Sequence, residues 1–380
     1  MFWGNFLQTF GIIELTIPEL SMVLLSLLLA YLAIVKKYEP LLLLPISFGM
    51  LIANIPMSNL SAYGDGIIYH LYQGIKMEIY PPMIFLCLGA ITDFSPLIAT
   101  PKTALIGIGG QLGIFSALGL GLLISKFVGP YIPDLNFTLK EAVAISIIGS
   151  SDGPTTIYTT NRLAPNMLAT IAIAAYSYMA LVPIIQPPIM KLLTTAKERV
   201  IVMPTPKQVT RRQKIMFPIV LTLGTLLLVP AAAPLIAMLM LGNLIRESGV
   251  VDRIAHALQG DLLSILTMLI GLCIGSTATA KNILQLQTLV IIMLGLMAFA
   301  FGTVGGVLVA KLLCKTTGGK INPLIGNSGV SAMPMAARVS QKVAQEYNPS
   351  NVVIMQAMGP IVASTIGSAI VAGIYISLFG

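Results

Sequence analysis

"GSSDGPTT", residues 149–156, decides how this chain is to be read. It follows the apolar run "AVAISII" and is soon followed by another, "LATIAIAAY". A carboxylate, a glycine and a proline thus interrupt what otherwise reads as membrane-embedded chain. Unpaired backbone is costly in lipid and is tolerated only where it is buried in protein or lines a wet cavity. Gly153 and Pro154 break a helix there, and Pro154 suits the first turn of a following half-helix, where its missing N–H is harmless. Asp152 is the only acidic residue between Glu141 and Glu198. An ionised aspartate at a helix centre costs roughly 2.5–3.5 kcal/mol on insertion scales. A bound cation or proton would compensate, and the two would compete for one carboxylate. The plainer alternative is a structural cap, with Asp152 accepting backbone N–H bonds.

The surrounding composition supports the membrane. The 380 residues are 56% hydrophobic and 9% charged, with mean hydropathy +0.90. Soluble domains carry about 25% charged residues, and apolar runs of about 20 residues can cross a bilayer. The net charge of +8 needs no nucleic acid, because basic residues chiefly mark cytoplasmic loops. Three cysteines without metal spacing predict neither a zinc site nor a disulfide framework. The first 16 residues lack a basic n-region and read as an amphipathic lead-in rather than a cleaved signal. "SAYGDGIIYHLYQGIKMEIY", 61–80, reads as an amphipathic surface helix. "GIGGQLG", 107–113, follows no strand and is not a nucleotide loop.

The chain repeats itself. "LCLGAIT" at 86–92 matches "LCIGSTA" at 272–278, and "MLIAN" at 50–54 matches "MLMLGN" at 238–243. GxxxG recurs at Gly109–Gly113 and Gly302–Gly306. "GSSDGPTTIYTTNRL", 149–163, has a counterpart in "IGNSGVSAMPMAARV", 325–339, each a Gly/Ser tip followed by an arginine. The halves, 1–190 and 215–380, join at the basic linker 191–214, whose seven Lys/Arg place it inside. Spans are expected over 17–35, 40–56, 82–99, 103–125 and 167–190, then 216–229, 231–245, 262–279, 285–312 and 351–378. The pair 216–229 and 231–245 could instead be one kinked helix. If 142–163 dips in and returns, 17 of the 22 Lys/Arg fall inside. Five spans per half is odd, so the repeats are inverted, and the broken segments 142–163 and 321–340 enter from opposite faces. The expected fold is an all-α polytopic membrane protein of two inverted-topology repeats, each about five transmembrane helices plus a re-entrant hairpin, resembling elevator transporters.

Both tips offer oxygens suited to a hard cation such as Na⁺: Ser150, Ser151, Asp152, Thr155 and Thr156 on one, Asn322, Asn327, Ser328 and Ser331 on the other. Arg338, seven residues after Ser331, could face an anionic substrate entering from inside, or serve as a positive-inside anchor. Tyr178 could lend its phenol to the site or simply pack with one hydrogen bond.

Three stretches, "GSSDGPTTIYTTNRLAP", "NPLIGNSGVSAMPMAARVSQK" and "MQAMGPIVASTIGSAIVAG", together resemble the β subunit of the Na⁺-pumping biotin-dependent decarboxylases of the oxaloacetate, methylmalonyl-CoA, glutaconyl-CoA and malonate types. The resemblance implies that the chain decarboxylates carboxybiotin on a carrier subunit, exports Na⁺ and consumes a proton from outside. It implies that Asp152 is the central Na⁺/H⁺ carboxylate and Tyr178 the ion-site tyrosine, with Asn322, Gly326, Ser331 and Arg338 as functional positions of the second tip. By this reading Asp152, Tyr178, Asn322, Ser331, Thr155 and Asn327 hold Na⁺, while Arg338, Ser331 and Gly326 meet carboxybiotin and Asp152 and Arg338 are catalytic. After "MGP" some relatives carry Asn where this chain has Ile361, so a full second Na⁺ site is not carried over. The implied partners are a carboxyltransferase α subunit, a biotin carrier protein, a small membrane subunit and two further β copies in a trimer, in the inner membrane of a bacterium. A stand-alone Na⁺-coupled carboxylate transporter is the alternative. A purely structural membrane anchor has no use for a costly intramembrane carboxylate.

Overall fold

A computed structural model describes residues 13–37, 40–58, 60, 66–177, 181–204 and 207–380. The described residues are helical, without strands. In the first half the principal helices are α1 (Ile17–Ile34), α2 (Pro40–Ala53), α3 (Ile67–Lys76), α4 (Tyr80–Ile91), α5 (Ala104–Gly110), α6 (Leu112–Phe127), α7 (Leu139–Ser146), α8 (Gly153–Leu163), α9 (Leu168–Ser177) and α10 (Val182–Leu193). The second half supplies α11 (Arg211–Leu228), α12 (Ala233–Ser248), α13 (Leu263–Thr277), α14 (Leu286–Thr316), α15 (Met335–Tyr347) and α16 (Ile354–Phe379). Among the described residues, five helical segments are long and apolar enough to cross a membrane, or six if the bent pair α3–α4 counts as one.

Five of the expected spans correspond to these segments, and not every other one holds its full length. The span over 82–99 stops at Ile91 because the last carbonyls of α4 are capped from the second half. Asn243 donates to the Gly89 and Thr92 carbonyls, Gln259 to Ala90 and Arg246 to Ile91. These are the orphan acceptors that any helix end must satisfy. The span over 103–125 lies within one 27-residue apolar segment, Pro101–Phe127, with a single turn residue, Gln111, between α5 and α6. Of the span over 167–190, α9 and α10 lie within the described residues. Residues 216–245 form two helices, not one kinked one. Arg211 donates to the Ser248 carbonyl at 2.6 Å, and 218–223 line one surface with 237–244, so α11 and α12 lie antiparallel. Of the expected surface helix at 61–80, α3 lies within the described residues and meets α4 at 69°.

Glycines let backbones touch where the two halves cross, as small residues do between membrane helices. A Cβ on Gly109 would lie 2.8 Å from the Gly305 carbonyl oxygen, and one on Gly302 would lie 3.0 Å from that of Gly110. The tips dock the same way. Gly149 packs against the backbone of Gly113 on α6, and Gly326 against that of Gly306 on α14. Matching contacts recur elsewhere between the halves. Asn54 on α2 donates to the Ala278 carbonyl at 2.9 Å, and Asn243 on α12 donates to that of Thr92 at 3.1 Å.

Each broken segment begins and ends at one end of the bundle. Thr138 and Glu141 form a capping box that starts α7, and Asn166, beyond the far end of the segment, donates to Glu141 at 3.1 Å. In the second half, Asn322 and Asn351 bracket the segment, and both donate to the carbonyls of Arg199 and Ile201 in the linker. The ion pairs keep to the same two ends. Lys191–Glu346, Lys311–Glu198 and Lys214–Glu247 gather on the linker side, while Arg162–Glu78 ties α8 to the α3–α4 turn. Burial pushes the Glu198 carboxyl up, but the Thr195 N–H and hydroxyl and the Lys311 ammonium hold it below its ordinary range.

Candidate functional site

The first tip leaves α7 through a 3₁₀ turn, Ile147–Ser150, and turns at Ser151, whose φ of 60° is left-handed. Such a conformation is uncommon for a residue with a side chain and is a form of backbone strain found at functional sites. Asp152 follows as the N-cap of α8. Its Oδ1 accepts the Thr155 N–H at 3.3 Å, and its Oδ2 accepts the hydroxyls of Thr155 at 2.8 Å and Ser368 at 3.1 Å. Asp152 is only 4% exposed, and no Lys or Arg pairs with it among the described residues. Capping and ion binding are compatible roles, since each carboxylate oxygen keeps further acceptor capacity.

The second tip runs from Asn322 through a 3₁₀ segment, Pro323–Gly329, to an extended Val330 and non-helical chain at 331–332. The two tips meet backbone to backbone: the Ser331 N–H donates to the Ser150 carbonyl at 3.0 Å. The Ser331 hydroxyl donates to Ser364 Oγ at 3.1 Å. Helix α16 completes the junction, holding Asp152 through Ser368 and Ser331 through Ser364.

The structure thus brings Asp152, Thr155 and Ser331 into one buried neighbourhood and sends the other expected residues elsewhere. Asn322 spends its amide on the linker carbonyls and its Oδ1 on the Leu324 N–H at 2.9 Å. Asn327 donates to Gln186 Oε1 at 2.9 Å and to the Ala336 carbonyl at 3.0 Å, in a separate buried polar cluster with Ser340. Gly326 is packed on α14, a Cβ there falling 2.5 Å from the Gly306 oxygen. Arg338 is exposed on α15 and makes no ion pair among the described residues. Tyr178 lies outside the described residues. Tyr176 is the tyrosine described at the tip: a Cβ on Gly153 would lie 2.7 Å from its hydroxyl. Ile361 is buried in the core and offers no oxygen.

Sequence reasoning passed over Ser364, Ser368 and Tyr176. Ser364 and Ser368 stand four residues apart in an apolar helix, one above the other on a single face, and that spacing is the signal that could have exposed them. No group of three or more His, Cys, Asp or Glu converges among the described residues. The junction is one carboxylate amid hydroxyl and carbonyl oxygens, a donor set that suits a hard cation.

Comparison with known proteins gives this geometry its context. Residues 18–379 match the family described as Na⁺-transporting oxaloacetate decarboxylase beta subunit. The chain belongs to this family. It is 51% identical over 368 residues to the methylmalonyl-CoA decarboxylase subunit beta of Veillonella parvula, covering 97% of this chain and 95% of that one. It is 50% identical to the glutaconyl-CoA decarboxylase subunit beta of Acidaminococcus fermentans, covering 98% and 96%. It is 46% identical to the oxaloacetate decarboxylase beta chain 2 of Salmonella typhi, covering 97% and 96%. As a Na⁺-transporting decarboxylase beta subunit the chain is part of an enzyme and a multi-pass membrane protein. A stand-alone transporter is not favoured by these relatives.

Proposed function

We propose that this chain decarboxylates the carboxybiotin of a carrier partner at the linker end of the bundle and couples that step to outward Na⁺ movement. Asp152 trades Na⁺ for a proton drawn from outside, and the proton is consumed as carboxybiotin becomes biotin and CO₂. The observation that carries the reading is the buried, charge-unpaired carboxylate at the junction of two broken segments, where Ser331 N–H meets the Ser150 carbonyl.

Asp152, Thr155, Ser331 and Ser368 surround the transported ion in this reading. Their oxygens are already gathered, so little reorganisation accompanies binding, which is how preorganised sites gain affinity. When Na⁺ leaves, a proton on Asp152 removes the cost of a bare buried carboxylate. Asn322, through the linker, and Gly326, through α14, fix the second tip rather than touch the ion. The chain comprises two inverted repeats, 1–190 and 215–380, and the tip-bearing helices move as a unit against α2, α4, α12 and α13. The matching Asn54–Ala278 and Asn243–Thr92 contacts support that pairing. The carboxyltransferase α subunit, a biotin carrier protein and a small membrane subunit accompany a trimer of this chain in the inner membrane of a bacterium.

Carboxybiotin supplies an N-linked carboxylate, and in this reading Arg338, exposed and without an ion pair among the described residues, receives it. A planar guanidinium meets a carboxylate through two parallel hydrogen bonds. Arg338→Gln is expected to slow decarboxylation of carboxylated carrier about tenfold or more, the equivalent of one hydrogen bond to a charged group. The Na⁺ concentration for half-maximal rate should stay put, because Arg338 stands apart from the ion. A wild-type rate in the variant, measured on the assembled complex, would remove Arg338 from the reaction.

A further inference from the structure

The break between α5 and α6 places Gln111 against the polar face of α16. Its side chain is 6% exposed. Its Nε2 lies within hydrogen-bonding distance of the Ser364 carbonyl and hydroxyl, both at 3.2 Å, and of the Gly107 carbonyl at 3.3 Å. Two of those acceptors are backbone carbonyls, which cannot donate, so they fix which end of the amide is nitrogen. Gln111 Oε1 is then left buried without a partner among the described residues. A buried acceptor without a donor carries its full desolvation cost and calls for an explanation.

Three elements converge on three residues of α16, Ser364, Gly367 and Ser368. Gln111 docks on Ser364 and against Gly367, where a Cβ would lie 3.1 Å from its Nε2. Ser331 of the second tip donates to Ser364. Asp152 of the first tip accepts from Ser368. Positions 364, 367 and 368 share one helix face, so the Gln111 amide docks on the same face of α16 that holds the two tips. Ser151 Oγ, beside Asp152 in the first tip, is likewise buried and without a partner among the described residues.

We propose that Gln111 is a ligand of the transported cation, its Oε1 joining the hydroxyls of Ser331 and Ser364 as a neutral set of oxygens beside the Asp152 carboxylate. This rests on the Na⁺ reading above and adds to it a residue from a third element, the α5–α6 break. A carbonyl dipole aimed at the ion binds Na⁺ without adding a charge that would have to be neutralised when the ion departs.

The test is the Na⁺ dependence of decarboxylation by the assembled complex at fixed pH, with NaCl varied. Gln111→Leu should raise the Na⁺ concentration for half-maximal rate about tenfold or more, as expected for losing one oxygen contact to a charged partner. The rate at saturating Na⁺ should remain within about threefold of wild type. Gln111→Glu keeps an oxygen but loses both donors to Ser364 and Gly107, and should hold the half-saturating Na⁺ at or below the wild-type value. A merely structural glutamine predicts the reverse: unmoved half-saturation in Gln111→Leu, and Gln111→Glu as impaired as Gln111→Leu. Either result overturns the proposal. Should Gln111→Leu fail to assemble, Ser364→Ala reads the same quantity, and an unchanged half-saturation there overturns it. A wild-type rate indifferent to Na⁺ would instead overturn the underlying ion reading.

Discussion

Asp152→Asn is expected to abolish Na⁺-dependent decarboxylation and Na⁺ transport while leaving the complex assembled. The substitution is nearly isosteric. An asparagine oxygen still accepts the Thr155 N–H that now reaches Asp152 at 3.3 Å, and its amide can donate to the hydroxyls of Thr155 and Ser368, which accept as readily as they donate. The cap on α8 therefore survives. What disappears is the negative charge that the proposal assigns to the ion and, among the described residues of the junction, the one carboxylate that can carry the proton in its place. Loss of a positioned proton carrier alone accounts for about a hundredfold or more in rate. The assay is decarboxylation of carboxylated carrier with and without Na⁺, beside size-exclusion analysis of the complex. Near-wild-type turnover would remove Asp152 from the coupling step.

Gly326→Ala and Gly149→Ala should come next in severity, through packing rather than chemistry. A Cβ on Gly326 would sit 2.5 Å from both the Gly306 oxygen and Val307 Cα, and 2.7 Å from Ala310 Cβ. A Cβ on Gly149 would overlap the Gly113 backbone and lie 2.7 Å from the Ile114 nitrogen. These neighbours are backbone atoms and one alanine Cβ of long helices, none of which can swing aside. Overpacking costs about 1–3 kcal/mol even where side chains can give, and here the tip itself must shift from its partner. Both variants should lose most activity and lower the melting temperature of the solubilised complex. A variant with wild-type melting and wild-type rate would show that the tips do not need these close approaches.

Much of this was legible in the residues. The broken tips declare themselves because Gly, Pro and Asp are costly in an apolar run. The capped carbonyls that end α4 were not legible. They depend on donors such as Asn243 and Gln259 that arrive from distant sequence, which no local propensity can report. The oxygens at the junction divide the same way. Asp152 and Thr155 lie in the tip itself, whereas Ser364 and Ser368 belong to a helix whose apolar composition hides them. Asn322 illustrates the opposite hazard. An amide in a polar tip suggests an ion ligand, yet its hydrogens are taken by the linker carbonyls of Arg199 and Ile201.

The central claim is that a single buried aspartate, framed by hydroxyls from two opposed broken segments, holds the transported sodium. Equilibrium binding of radioactive ²²Na⁺ to the purified complex addresses it without recourse to turnover. The account predicts saturable binding in the wild type that weakens as the medium is acidified and is absent in Asp152→Asn. Equal binding by the two proteins, or binding indifferent to acid, would contradict it.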